Sequence, residues 1–287
     1  MKFPPPPHSA PSKPKFIPPR GSCDAHVHVF GPSDIFPYHP ETTYTPVDAP
    51  KERLRALHGV LGFDHSVIVQ ATCHGTDNAA TLDAIAASNG CWRGVAIVDE
   101  SFTEREFSEL HDGGIRGARF SFARHLSGRP NFDRVHRIAE KVKGLGWHLV
   151  IYIEAQDIIE FSEDLRKLPL PIVFDHMVRV KVADGIESAP FQLLLDFLLN
   201  EDVWVKVSCA ERLSQQGAPY DDVVPFARAV IETNPDRVLW GTDWPHPNLW
   251  EGMPDDGGLV DLIPRYAPDE ATRQKLLVDN PAVLYGF

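Results

Sequence analysis

His26 and His28 lie two residues apart in an apolar run, so on an extended chain both imidazoles leave on the same side and can converge on one point. Such a pair can ligate zinc and related ions, or it can hold and move protons. A second concentration of chemistry lies in R-V-L-W-G-T-D-W-P-H-P, from Arg237 to Pro247, where an apolar run breaks into a rigid turn with Asp243 at the break. A carboxylate fixed there beside imidazoles can take a proton from water. His176, preceded by Asp175, ends another apolar run. Each of these also has a plain structural reading: a hydrogen-bonded core histidine, a capping aspartate, and for His246 a surface loop.

Positioning these groups together requires strands that end at one place. From Ser22 onward, short β-branched or apolar runs alternate with longer helix-like segments. Eight such runs are legible, at 23–30, 65–72, 92–98, 117–122, 148–154, 171–177, 203–209 and 237–244. Helical patterns lie between them, as at 78–88 and at 135–145, where Val135, Ile138, Ala139, Val142 and Leu145 recur at helical spacing. Eight alternations in one α/β chain fit a closed (β/α)8 TIM barrel, in which chemistry sits where strands end and the following loops begin. The competing open sheet loses support because no G-x-G-x-x-G follows the first run and no G-x-x-x-x-G-K-[ST] occurs.

The barrel reading collects the polar residues at run ends: Asp24, His26, His28, Thr72, His74, Arg119, Tyr152, Glu154, Asp175, His176, Ser208, Arg212 and Asp243. Preceding it, residues 1–21 form a Pro-rich arm whose density of prolines prevents helix and favours an extended segment, leaving 22–287 as the catalytic domain.

Composition bounds the partners. The 287 residues are 43% hydrophobic and 24% charged, an ordinary globular balance that argues against disorder and coiled coil. Lys and Arg number 28 against 40 Asp and Glu, and 28 − 40 gives −12, too acidic for a nucleic-acid or anionic-membrane partner. An anionic small molecule therefore needs a locally positive pocket. Cys23, Cys73, Cys91 and Cys209 are far apart, without C-x-x-C, and read as reduced buried thiols. With no apolar run of membrane length and no hydrophobic leader, a cytoplasmic protein is expected. Oligomeric state is not encoded in any pattern here.

The motifs C-D-A-H-V-H-V-F-G-P from Cys23, F-D-H-M from Phe174, G-T-D-W-P-H from Gly241 and D-N-P-A-V-L-Y from Asp279 resemble those of the amidohydrolase superfamily. Phe36-Pro-Tyr, Tyr44-Thr-Pro, Q-A-T-C-H-G-T-D-N from Gln70, V-S-C-A-E-R-L-S from Val207 and W-P-H-P-N-L from Trp244 narrow the resemblance to its lactonase branch, over residues 20–287. Metal-dependent members add a lysine or glutamate on strand four and a histidine on strand five, where this sequence offers Arg119 and Tyr152. Since guanidinium stays protonated and cannot ligate, His26, His28, His176 and Asp243 remain, enough for one zinc and not two. The pyrone-dicarboxylate lactonases resembled work without metal, and none is expected here; one zinc is the alternative.

The resemblance further implies that Arg119 and Arg212 hold substrate carboxylates, with Tyr152, Tyr44, Thr72 and His74 completing the polar contacts and His246 nearby. Guanidinium matches carboxylate in a two-pronged fork. Where a Lys-Arg pair is expected after strand four, this sequence has Arg124-His125, and either residue could serve a second carboxylate. The implied reaction is hydrolysis of a carboxylated lactone, 2-pyrone-4,6-dicarboxylate foremost, in catabolism of lignin-derived aromatics. Asp243 would deprotonate water while His26, His28 and His176 surround the carbonyl. Asp24 and Asp175 would support the histidines, and Glu154 would pair with Arg119. Three other readings stand beside it: a zinc-dependent hydrolase or decarboxylase, an isomerase or hydrolase of sugar-acid or sulfonated lactones, and a non-enzymatic scaffold using the arm.

Overall fold

The computed structural model describes residues 4–123 and 131–287; the expectations for Arg124 and His125 lie outside the described residues. Eight parallel strands follow one another in chain order: β1 (Cys23–Val27), β2 (His65–Val69), β3 (Trp92–Ala96), β4 (Ile115–Ser121), β5 (His148–Tyr152), β6 (Ile172–Phe174), β7 (Val203–Val207) and β8 (Val238–Trp240). All eight apolar runs became strands. Parallel strands are covered on both faces, which is why they read as near-continuous apolar runs. The barrel closes just beyond β8, where the Asp243 N–H donates to the His26 carbonyl at 2.9 Å and the His28 N–H donates to the Trp244 carbonyl at 2.7 Å.

Helices wrap the outside. The helix Phe132–Val142 buries Val135, Ile138, Ala139 and Val142, as its spacing predicts; Leu145 falls in the following 3-10 turn instead. Helix Glu104–Asp112 starts on a reciprocal cap in which Thr103 and Glu106 satisfy each other's backbone N–H groups. Inside the barrel, Cys23, Ala25, Val67, Val69, Val95, Val150, Val173, Trp204 and Leu239 form a second apolar cluster, with Tyr285 of the helix Asn280–Tyr285 packed into it. No helix among the described residues is long and apolar enough to cross a membrane.

The arm has no helix or strand among its described residues. Pro4, Pro7, Pro14 and Pro18 are buried, while most residues between them are exposed. Among the described residues, four backbone N–H groups anchor it: Ser12 donates to Asp255 at 2.8 Å, Lys15 and Phe16 to one oxygen of Asp261 at 2.7 and 2.9 Å, and Gly21 to Asp64 at 2.6 Å. All four cysteines are free; Cys91 is only half-buried, because it lies ahead of β3 rather than inside a strand.

Candidate active site

The strands β6 and β8 are shorter than their apolar runs, and the residues that end those runs are the chemical ones. Asp175 and His176 follow β6, and Asp243 follows β8; His176 and Asp243 adopt positive φ of 53° and 66°. Left-handed backbone at non-glycine residues is costly and persists where surrounding structure imposes it. In β1 a register irregularity between Asp24 and Val27 separates the roles of neighbouring residues. Asp24 turns to the helix Lys51–Leu61, where it faces His58 at 3.4 Å, and accepts from the Thr242 hydroxyl at 2.7 Å. His26 reaches Asp175 and the β7 lysine, Lys206, instead.

The three imidazoles do meet the aspartate. Asp243 Oδ1 lies 3.2 Å from His28 Nε2, 3.5 Å from His26 Nε2 and 3.7 Å from His176 Nε2, and all four side chains are buried. Asp243 Oδ2 accepts from the Arg212 guanidinium at 3.1 Å. Burial alone would raise the Asp243 carboxyl, but His176, Arg212 and the contact with His28 reverse that and hold it well below the usual carboxylate range. Burial pushes His176 down to about 4, against the pull of Asp243 and Asp175, so its ring is neutral at pH 7. Its Nδ1 lies 2.7 Å from the Ser208 hydroxyl. His28 donates from Nδ1 to the Val69 carbonyl at 2.6 Å, which fixes its ring.

These groups open onto a cavity of about 310 Å3. Asp243, His28 and His176 form one part of its wall, and Arg119, Arg179 and Arg212 another; Tyr44, Thr72, Tyr152 and Glu154 complete most of the rest. Arg119 is anchored by the Gln70 carbonyl at 3.2 Å and Asp175 at 3.3 Å, and its guanidinium lies 5.4 Å from the Tyr152 ring centre. Arg179 donates to the Tyr152 hydroxyl at 3.0 Å. Burial holds Tyr152 above its ordinary value, so it remains a phenol.

A family model described as amidohydrolase matches residues 23–287. The chain belongs to the amidohydrolase family. This amidohydrolase is 52% identical to 2-pyrone-4,6-dicarboxylate hydrolase of Comamonas testosteroni, over 97% of this chain and 94% of that protein. It is 42% identical to 4-sulfomuconolactone hydrolase of Rhizobium radiobacter, over 94% and 92% of the two chains. Among solved structures, one from Acinetobacter baumannii, described as a "probable 2-pyrone-4,6-dicarboxylic acid hydrolase" with citric acid bound, superposes with a TM-score of 0.81 at 26% identity, covering 93% of this chain and 100% of that one.

The amidohydrolase departs from its sequence reading at three histidines and one acid. His26 was expected at the substrate carbonyl, but it is fully buried behind His28 and His176 and does not line the cavity. His74 turns its ring nitrogens to the Gly31 N–H and the Pro37 carbonyl, away from the wall. His246 is clamped between Asp256 at 3.1 Å and Glu211 at 3.6 Å; burial would lower it, yet the two carboxylates push it up to about 10. It braces the turn after Asp243 and does not reach the cavity. Glu154 was expected to pair with Arg119, whose guanidinium pairs with Asp175 instead; Glu154 lies 3.9 Å from Arg179.

Arg179 and Lys206 are the two charged groups that sequence reasoning missed. Arg179 follows His176 by three residues, past the end of the apolar run, and its signal was only its nearness to a strand end. Lys206 had a stronger signal: a cation in the middle of V-W-V-K-V, an otherwise apolar strand. It is fully buried, with Nζ 3.1 Å from His26 Nδ1 and 3.3 Å from Asp175 Oδ1. That contact bears on a single zinc. A ligating imidazole donates its outer N–H to an acceptor; the outer nitrogen of His26 lies 3.2 Å from Asp175 Oδ1 but makes its hydrogen bond with Lys206, which has only donors when charged. By that hydrogen bond His26 does not suit a zinc ligand, although by distance His26, His28 and Asp243 stand close enough to share an ion, and His176 groups with Cys209 and Asp243.

Proposed function

We propose that the protein is a lactonase that hydrolyses 2-pyrone-4,6-dicarboxylate to 4-carboxy-2-hydroxymuconate, reversibly. The observation that carries this reading is a single cavity lined by an ionised aspartate, two imidazoles and three guanidiniums. The aspartate and imidazoles suit water attack on an ester carbonyl, and the guanidiniums suit a small dianion, which an acidic protein would otherwise repel. The named activities of the two relatives support the same class of substrate, an acidic lactone.

In this reading Asp243 Oδ1 takes a proton from water as the water oxygen attacks the lactone carbonyl. His176, its Nδ1 bonded by the Ser208 hydroxyl, turns Nε2–H to the developing oxyanion, and one well-aimed donor of that kind contributes about 3 kcal/mol. The tetrahedral intermediate collapses by breaking the bond to the ring oxygen, which leaves as an enolate. The proton held between Asp243 and His28 returns to that oxygen. Arg119 and Arg179 grip the two carboxylates, with the Tyr152 hydroxyl between them. Arg212, already on Asp243, steadies the base.

We also propose that turnover needs no metal and takes place in the cytoplasm, as a step in catabolism of lignin-derived aromatic acids. Dialysis against a chelator should leave kcat unchanged, and stoichiometric zinc with chelator-sensitive turnover would replace this mechanism with a metal-assisted one. Loss of pyrone absorbance on adding purified protein tests the substrate directly. No loss with the dicarboxylate, together with turnover of 4-sulfomuconolactone, would move the assignment to the second reading that the 42% identical relative favours.

A further inference from the structure

Lys206 is a buried cation for which the proposed reaction has no use. It sits mid-strand in β7 with no exposed surface, against Asp175, His26 and the barrel interior. A buried lysine costs several kcal/mol in desolvation even when paired, and an apolar side chain of similar volume would fill the space at no such cost. Asp175 neutralises it, yet Asp175 already has a cation in Arg119, on its Oδ2 at 3.3 Å. What Lys206 has that Arg119 lacks is a hydrogen bond to an imidazole.

We infer that Lys206 is a positioning residue: by donating to His26 Nδ1 it fixes the hydrogen of that ring on Nε2, facing the Asp243 carboxylate. The geometry selects this arrangement over the opposite one. Asp175 Oδ1 lies 3.2 Å from the same Nδ1, but as an ion-pair contact: an N–H placed on Nδ1 does not meet it at hydrogen-bond geometry. The Lys206 contact at 3.1 Å does have hydrogen-bond geometry. A neutral imidazole carries one N–H and one lone pair; with the lone pair on the Lys206 side, the N–H is on Nε2. That nitrogen makes no hydrogen bond among the described residues; the carboxylate it faces is Asp243, with Oδ1 3.5 Å away.

The result is a line from β7 through β1 to the end of β8, Lys206 to His26 to Asp243, in which the far group sets the tautomer of the middle one and the middle one orients the reacting carboxylate. The inference rests on Asp243 being the base but not on which lactone is the substrate.

Long-range 15N–1H spectra of the wild-type protein, labelled at the histidine ring nitrogens and with His26 assigned by its loss in His26→Asn, test the tautomer without substrate. The expected pattern is a bare Nδ1 and a hydrogen on Nε2; a hydrogen on Nδ1 overturns the inference. In Lys206→Met the His26 hydrogen should move to Nδ1, and kcat on whichever lactone is turned over should fall on the order of 10- to 100-fold, the size of effect seen when a histidine loses its orienting partner. KM should stay within about twofold, because Lys206 does not line the cavity. A Lys206→Met protein with wild-type kcat also overturns it. If that variant does not fold, the wild-type spectrum decides alone.

Discussion

Asp243 is surrounded by groups that keep it ionised, and this fixes how the reaction responds to acid. A carboxyl held below its ordinary range stays deprotonated as pH falls through 4 to 5, so the base is not lost there. The acid limb of kcat/KM should instead lie near pH 4, where His176 takes up a second hydrogen and its charge changes. A pH–rate profile that falls through the ordinary histidine range, near 6.5, would contradict this. Asp243→Asn removes the proton acceptor and should lower kcat by about 10²- to 10⁴-fold with KM little changed. Arg179→Met should act on the other parameter: loss of a charge-assisted contact, about 1.5–3 kcal/mol, raises KM by roughly 10- to 100-fold while kcat holds. The sequence disclosed the Asp243 group because its residue types are rare at strand ends. It did not disclose Arg179, since an arginine three residues past His176 reads equally well as a surface cation until the turn after β6 is seen to face it inward.

At the scale of elements, the seam between β1 and β8 decides whether the site exists. Gly241 has no side chain because His26 occupies that space: a Cβ there would lie 2.6 Å from the His26 backbone nitrogen and 2.7 Å from its Cβ. Gly241→Ala should therefore push the strands apart, costing about 1–3 kcal/mol of stability by overpacking, with activity lost alongside, as denaturant unfolding and kcat together would show. The turn beyond the seam depends on His246. Its value is raised from 6.5 to about 10, so its contribution to stability is complete below pH 6.5 and is lost as pH rises toward 10. Melting temperature of the wild-type protein should fall across that window. His246→Gln should be less stable at neutral pH by about 3–5 kcal/mol, because Glu211 and Asp256 lose their buried cation, and its melting should depend less on pH over the same range. The eight strands were legible because apolar runs are what parallel strands require. Their ends were not: the runs continue to Met177 and Trp244, but β6 and β8 stop at Phe174 and Trp240, where tight turns take over.

Across the whole molecule, the arm and the barrel behave as separate investments of the chain. Asp261 accepts two backbone N–H groups of the arm and is remote from the cavity. Asp261→Ala should loosen the arm by about 2 kcal/mol and speed tryptic cleavage after Lys15, while kcat/KM on the lactone stays at the wild-type value; a parallel fall in kcat/KM would show that the arm supports the site. The net charge of −12 makes the cationic wall of the cavity a local feature, built by arginines from three different strand ends. By itself the sequence determined the barrel, its eight strands and the imidazole–aspartate group, because periodicity and residue type act locally along the chain. Only the tertiary structure decided that His26 stands behind the cavity, that His74 and His246 serve as braces, and that Lys206 and Arg179 reach the site. Those outcomes depend on which side chains from distant strands compete for the same few ångströms of buried space, and no spacing along the chain encodes that competition.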